Sequence, residues 1–168
     1  GGGGIYVSGA STVITGTTLS HNRSTVDDGG GIATDYRVAD VLTVTNSIIH
    51  SNYAEDGGGG LKLDDCTAVI RNTQLYSNTA NEDGGAIHID YAANVTVDAS
   101  AFTGNQALLS DGGAIATNGG SFLTVTSTTF SGNRALADDM DGGALYSSNN
   151  GGNVLVVDGS TFHDNRAF

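Results

Sequence analysis

Aspartate stands immediately before five of the chain's glycine pairs, at Asp28, Asp56, Asp83, Asp111 and Asp141. A second acid precedes three of them, in Asp27-Asp28, Glu55-Asp56 and Glu82-Asp83, and Asp138-Asp139 lies near the last. Carboxylates recurring at one phase have two uses. Each can cap its own glycine turn by accepting hydrogen bonds from backbone N–H groups, or neighbouring turns can share a hard, oxygen-loving cation such as Ca²⁺. The spacing matches neither an EF-hand loop nor the nonapeptide calcium repeat, and both readings stay open.

A second group mixes charges. Lys62 and His88 follow the apolar residues Leu61 and Ile87, and Asp35, Asp64 and Asp90 lie three places after Ile32, Leu61 and Ile87. In an extended segment alternate side chains share a face, so Lys62 and His88 form one outer column and the three aspartates another. Carboxylates on neighbouring strands are near the separation used by retaining glycosidases, and crowding raises the pKa of one of them. The plainer reading is a solvated face with an exposed histidine, flanked by no loop long enough to wall a sugar chain. His21, His50 and His163 fall at other phases without the compact spacing of a zinc site. Cys66 has no adjacent histidine to activate it.

These residues need elements to position them, and an internal repeat supplies those elements. A block of two glycines, then Gly or Ala, then Ile or Leu, ends at Ile5, Ile32, Leu61, Ile87, Ile115 and Leu145, at spacings of 26 to 30 residues. A second block, an apolar residue three places before Asn, keeps step with it: Leu19 to Asn22, Ile49 to Asn52, Leu75 to Asn78, Phe102 to Asn105, Phe130 to Asn133 and Phe162 to Asn165. Between the two lies a stretch of period two, with Ile14, Leu42 and Val44, Ile70, Val95 and Val97, Leu123 and Val125, and Leu155 and Val157 facing inward. A small residue and then a hydroxyl follow, as in Asn46-Ser47 and Gly159-Ser160.

Each unit thus offers three short extended pieces separated by turns, and no window carries a helical stripe. One such unit cannot bury its apolar residues alone, but stacked units can. The expected fold is all-β: a single-stranded right-handed parallel β-helix of about six coils, roughly 29 Å long at about 4.8 Å per coil. Residues at equivalent positions then form columns: an asparagine ladder inside a turn, and a small inward column of Ser24, Ala54, Ala80, Ala107, Ala135 and Ala167.

Composition agrees. Of 168 residues 26 are Gly and none is Pro or Trp, which suits many tight turns around a narrow core. With six Lys and Arg against 18 acids, net charge −12, neither a nucleic-acid groove nor adhesion to an anionic membrane is expected. No run approaches the roughly 18 apolar residues of a membrane span, so direct membrane insertion is not expected either.

The repeat resembles the GGAI and FxxN motifs of polymorphic outer-membrane proteins and other long bacterial surface β-helices. It reads GGAI at Gly84 to Ile87 and Gly112 to Ile115, FTGN at Phe102 to Asn105 and FSGN at Phe130 to Asn133, with looser copies elsewhere. The resemblance implies right-handed winding and a secreted or bacterial cell-surface setting, with roles ranging from adhesin and stalk to polysaccharide chemistry of the pectate-lyase kind.

The expected function is a structural or adhesive repeat domain, a rigid scaffold whose many weak contacts with glycans or cell-surface proteins add up. A polysaccharide-binding or polysaccharide-cleaving β-helix and a self-assembling filament subunit are the alternatives. Residues 1–168 read as one repeat domain, a segment of a longer stack, whose blunt coil edges invite end-to-end association. The threonines at 15, 45 and 126, with Thr43 and Thr124, suggest an ice-binding row, but Arg71, Asp98 and Asp158 interrupt it.

Overall fold

A computed structural model describes residues 1–36, 40–148 and 151–168. Four six-stranded sheets run the length of the molecule, and every strand pairs in parallel with its equivalents one coil away. The first sheet contains Ile5–Val7, Ile32–Thr34, Leu61–Asp64, Ile87–Asp90, Ile115–Thr117 and Leu145–Ser147. The second contains the longest strands, such as Asp40–Thr45 and Cys66–Arg71. The third includes Ile48–His50, Gln74–Tyr76 and Ala101–Thr103. This is a single-stranded parallel β-helix of six coils.

The fourth sheet departs from the three extended pieces expected per unit. Its strands are two residues long, as in Tyr53–Ala54, Thr79–Ala80 and Gln106–Ala107, and consist of the small column and the residue before it. Alanine side chains here let the backbone pass close to the core, which is why so short a segment pairs at every coil.

The inward positions of the second sheet meet those of the third inside the coil. Leu42, Val44, Ile70, Leu75, Val95, Val97, Phe102 and Phe130 are all fully buried. Phe102, Phe130 and Phe162 stack face to face with ring centroids 4.8 and 4.7 Å apart, so the aromatic column contributes dispersion along the axis as well as burial.

Two side-chain ladders bind coil to coil. The Oδ1 of each asparagine from Asn52 to Asn165 accepts from the backbone N and the Nδ2 of the asparagine one coil earlier, as between Asn78 and Asn105 at 3.0 Å for both. Each hydroxyl from Ser47 to Ser160 donates to the carbonyl two residues back and accepts from the equivalent N–H one coil earlier, as Thr128 does from Ser100 at 3.3 Å. The residue before each hydroxyl is left-handed, from Gly16 at φ 59° to Ala99 at φ 46°. Small or polar side chains are there because they tolerate that conformation.

Candidate functional site

Alternation along the first sheet turns Ile32, Leu61 and Ile87 inward and sets Ala33, Lys62 and His88 outward in strand register. Pointing away from the core does not expose them. Lys62 is 4 % and His88 8 % accessible, which corrects the expectation of a solvated face. The turn around Gly57 runs over the imidazole so closely that a Cβ there would lie 2.1 Å from His88 Nδ1. On the opposite side the turns holding Tyr91 and Gly119 rise beside Asp90, and a Cβ on Gly119 would meet its Oδ1 at 2.0 Å. Short glycine turns therefore build the walls that no long loop was available to build.

Asp64 pairs in register with Asp90. Asp35 does not join them, because its strand ends at Thr34 and its carboxylate accepts from Ser8 at 2.9 Å. At that point Thr34 replaces the ladder. Its hydroxyl accepts from Asp64 N at 2.8 Å and donates to Asp64 O at 3.1 Å, fixing the backbone that carries the Asp64 carboxylate.

The Lys62 ammonium lies 3.3 Å from Asp64 Oδ1, 3.9 Å from Asp28 Oδ1 and 4.0 Å from Asp90 Oδ2, so one cation serves three carboxylates. It also contacts His88 Nδ1 at 3.1 Å. An ammonium can only donate, so Nδ1 is the acceptor and the neutral ring carries its hydrogen on Nε2, which pairs with the Asn118 amide 3.1 Å away when that amide is turned to present its oxygen. Burial first, and then the Lys62 charge, hold the His88 pKa well below the usual histidine range. Burial pushes Asp64 up to about 6 despite Lys62, and pushes Asp28 up as well.

Three aspartates of the column cap the turn of the next coil. Asp28 Oδ1 accepts from Gly57 N at 2.8 Å, Asp83 Oδ1 from Asp111 N at 3.2 Å and Asp111 Oδ1 from Asp141 N at 2.7 Å, each bond reaching into the next coil. Among the described residues, carboxylate oxygens of Asp27, Asp28 and Asp56 come within 4.8 Å of one another, a set capable of coordinating a metal ion. Asp83, Asp111 and Asp141 stand outside that set. Calcium takes six to eight oxygens, so Asp27, Asp28 and Asp56 would supply only part of its shell.

Beside these acids is a cleft of about 190 Å³ lined by Tyr6, Tyr36, Tyr91, Asp27, Asp28 and Asp64, with Gly1, Ala33 and Thr34. The three tyrosines are about half exposed. The rings of Tyr36 and Tyr91 lie 5.7 Å apart at 32°. Tyr91 has φ 52°, a strained setting for a bulky residue, and its N–H is held by Asp90 Oδ1 at 2.8 Å. Sequence reasoning missed the tyrosines, although the dipeptide Asp-Tyr at 35–36 and again at 90–91, at one phase of the repeat, carries the signal.

Other candidates lie apart. His50 stacks on Tyr76 at 4.6 Å and meets His21 edge-on, and His163 pairs with Asp164. Burial pushes the Cys66 thiol up to about 12, so it is no nucleophile at neutral pH. A larger hollow of about 330 Å³, on the third sheet between Gln74 and Thr103, has no charged residue in its lining. Arg71 pairs with Asp98 at 3.0 Å across the threonine row.

Comparison with known proteins agrees with this architecture. The family described as right handed beta helix region matches residues 1–168, and the chain belongs to it. Its winding is therefore right-handed. No curated protein and no solved structure gave a match. The family includes scaffolds of structural, adhesive and carbohydrate-related kinds, and the narrower likeness to polymorphic outer-membrane proteins rests on the motifs alone.

Proposed function

We propose that this chain is a rigid presentation scaffold of a secreted or bacterial cell-surface protein, a segment of a longer stack, and that it binds glycan in the cleft on its first sheet. The observation that carries the reading is the cleft itself, where three half-exposed tyrosines border carboxylates held by the stack. Aromatic faces cover the apolar side of a sugar ring while fixed acceptors take its hydroxyls. A stiff rod suits adhesion, because modest sites held in fixed positions add through multivalency. A glycan array followed by calorimetry tests the reading. Tyr91→Ala is expected to abolish binding with an unchanged melting temperature, and an array without hits, or binding indifferent to Tyr91 and Tyr36, overturns it.

A second reading is glycan cleavage, favoured by Asp64, which is pushed up to about 6 beside its register partner Asp90. A carboxyl that holds its proton more tightly than usual, with a second carboxyl beside it, is the kind of pair that glycosidic cleavage uses. Release of reducing ends from bound oligosaccharides, lost in Asp64→Asn, is the expected result for an enzyme. Binding without release assigns the cleft to adhesion alone.

A further inference from the structure

The outer face of the third sheet steps down along three neighbouring columns at once. Gln74 is followed one coil on by Ala101 and then by Thr129, and Tyr76 by Thr103 and then by Ser131. Beside them the left-handed position passes from Ser51 and Ser77, both at φ 53°, to Gly104 and Gly132 at φ 61° and 64°. Three columns that shrink between the same two coils leave a ledge. The hollow of about 330 Å³ lies on it, with Gln74, Tyr76 and Ser77 on the tall side and Ala101, Thr103 and Gly104 as the floor. A Cβ on Gly104 would meet nothing within 4 Å, so close packing does not require glycine there and the floor is simply low.

The wall of the ledge is an aromatic ring with one face in use. His50, on the preceding coil, covers one side of Tyr76, with centroids 4.6 Å apart and planes 7° from parallel. The opposite face of Tyr76 therefore looks along the rod, over the short side chain of Thr103. Inside the coils the phenylalanine column continues past this level at 4.8 and 4.7 Å, whereas the outer stack stops at Tyr76. The lining narrows what could continue it. None of its six residues is charged, and a net charge of −12 repels anions. The Tyr76 face suits the C–H side of a ring, and the Gln74 amide with the Ser77 and Thr103 hydroxyls offers donors and acceptors at the ring's edge. An uncharged ring with an apolar face and a hydroxylated rim is a neutral hexose, and the volume stands at the lower end of the roughly 300–1,000 Å³ of small-ligand sites.

We propose that this ledge is a second binding site, which takes a neutral hexose stacked on the open face of Tyr76 with its hydroxyls on Gln74, Ser77 and Thr103. It shares no residue with the acidic cleft on the first sheet, so it goes beyond the reading above and does not depend on it. A stiff rod with one site on each of two sheets can hold two sugar chains at once.

The test is titration with methyl β-galactoside and methyl β-glucoside, followed by two-dimensional amide NMR. Saturable shifts at Ser77, Ala101, Thr103 and Gly104 are expected with at least one of them. Tyr76→Phe and Tyr91→Ala are expected to keep this binding, and Tyr76→Ala to weaken it roughly five- to tenfold, the worth of one ring stack. Thr103→Tyr, which sets a ring of the protein's own on the ledge, is expected to abolish it with the melting temperature held or raised. Methyl glucuronide, a charged ring of the same shape, is expected to bind more weakly, and equal binding overturns the selection of an uncharged sugar. Absence of saturable shifts at these four amides overturns the site, and so do shifts that persist in both Tyr76→Ala and Thr103→Tyr. Shifts caused by p-cresol and by neither glycoside overturn the sugar in favour of an aromatic ligand. Shifts confined to Tyr36 and Tyr91 overturn the ledge and leave the first-sheet reading standing.

Discussion

Lys62 is the residue on which the outer face of the first sheet depends. It reaches three carboxylates and an imidazole nitrogen while almost wholly buried. Truncating one partner of a buried ionic cluster leaves its counter-charges unpaired, at about 3–5 kcal/mol. Lys62→Met is therefore expected to lower stability by that order at pH 8 and by less at pH 5, where Asp64 takes up its proton, as read by urea unfolding. Asp64→Asn has the opposite sign. Asp64 is raised from 3.8 to about 6 on folding, so the native state binds its proton more tightly than the unfolded chain does, and stability falls as pH rises between those values. Neutral asparagine removes that loss. The variant is expected to be more stable than the parent at pH 7.5, by of the order of 3 kcal/mol, with the advantage gone below about pH 4. A denaturation series across that range decides it, and a constant difference would place the buried charge elsewhere.

At the scale of the element, the asparagine ladder is a row of buried polar groups, and its cost when broken depends on position. Asn105→Ala removes the acceptor for two donors of Asn78 and the donor to Leu75 O, all buried. Each orphaned group costs about 1–3 kcal/mol, so a loss of at least about 3 kcal/mol is expected, against about 1 kcal/mol for Asn22→Ala in the half-buried first coil. The turn acids make a separate prediction. If Asp27, Asp28 and Asp56 hold calcium, the melting temperature rises with added calcium over chelator at matched ionic strength, and Asp56→Asn removes the rise. An unchanged melting temperature assigns these acids to capping.

Both ladders were legible in the sequence, because columns inside a stack repeat in phase and periodicity detects what repeats. The site was legible in fragments. Lys62, His88, Asp64 and Asp90 could be placed on one face, but their burial could not, since it depends on glycines at 57 and 119 that approach from other turns. The break after Thr34, where a side-chain hydroxyl takes over the pairing with Asp64, separates Asp35 from the other two aspartates and leaves no mark in the spacing.

For the molecule as a whole, stability is nearly a sum of coils and the interfaces between neighbours. The aromatic column exposes this gradient directly: Phe130 is fully buried between two rings, and Phe162 lies on the last coil, 42 % accessible. Phe130→Ala is expected to cost about 3–5 kcal/mol and Phe162→Ala clearly less, as measured by denaturant midpoint. Equal costs would mean that the last coil is as well covered as the middle of the rod. The asparagine ladder also gives the rod a sense. Each asparagine from Asn22 to Asn133 sends its backbone N–H and one amide hydrogen to the Oδ1 of the asparagine one coil on, and from Asn52 onward the other amide hydrogen reaches back to a carbonyl of the preceding coil, so along the row of Oδ1 atoms one edge of a coil presents donors and the other an acceptor, like the two halves of a fastener. A coil added to this stack, whatever chain it comes from, can mate in only one direction, and two copies set face to like face would oppose donor with donor.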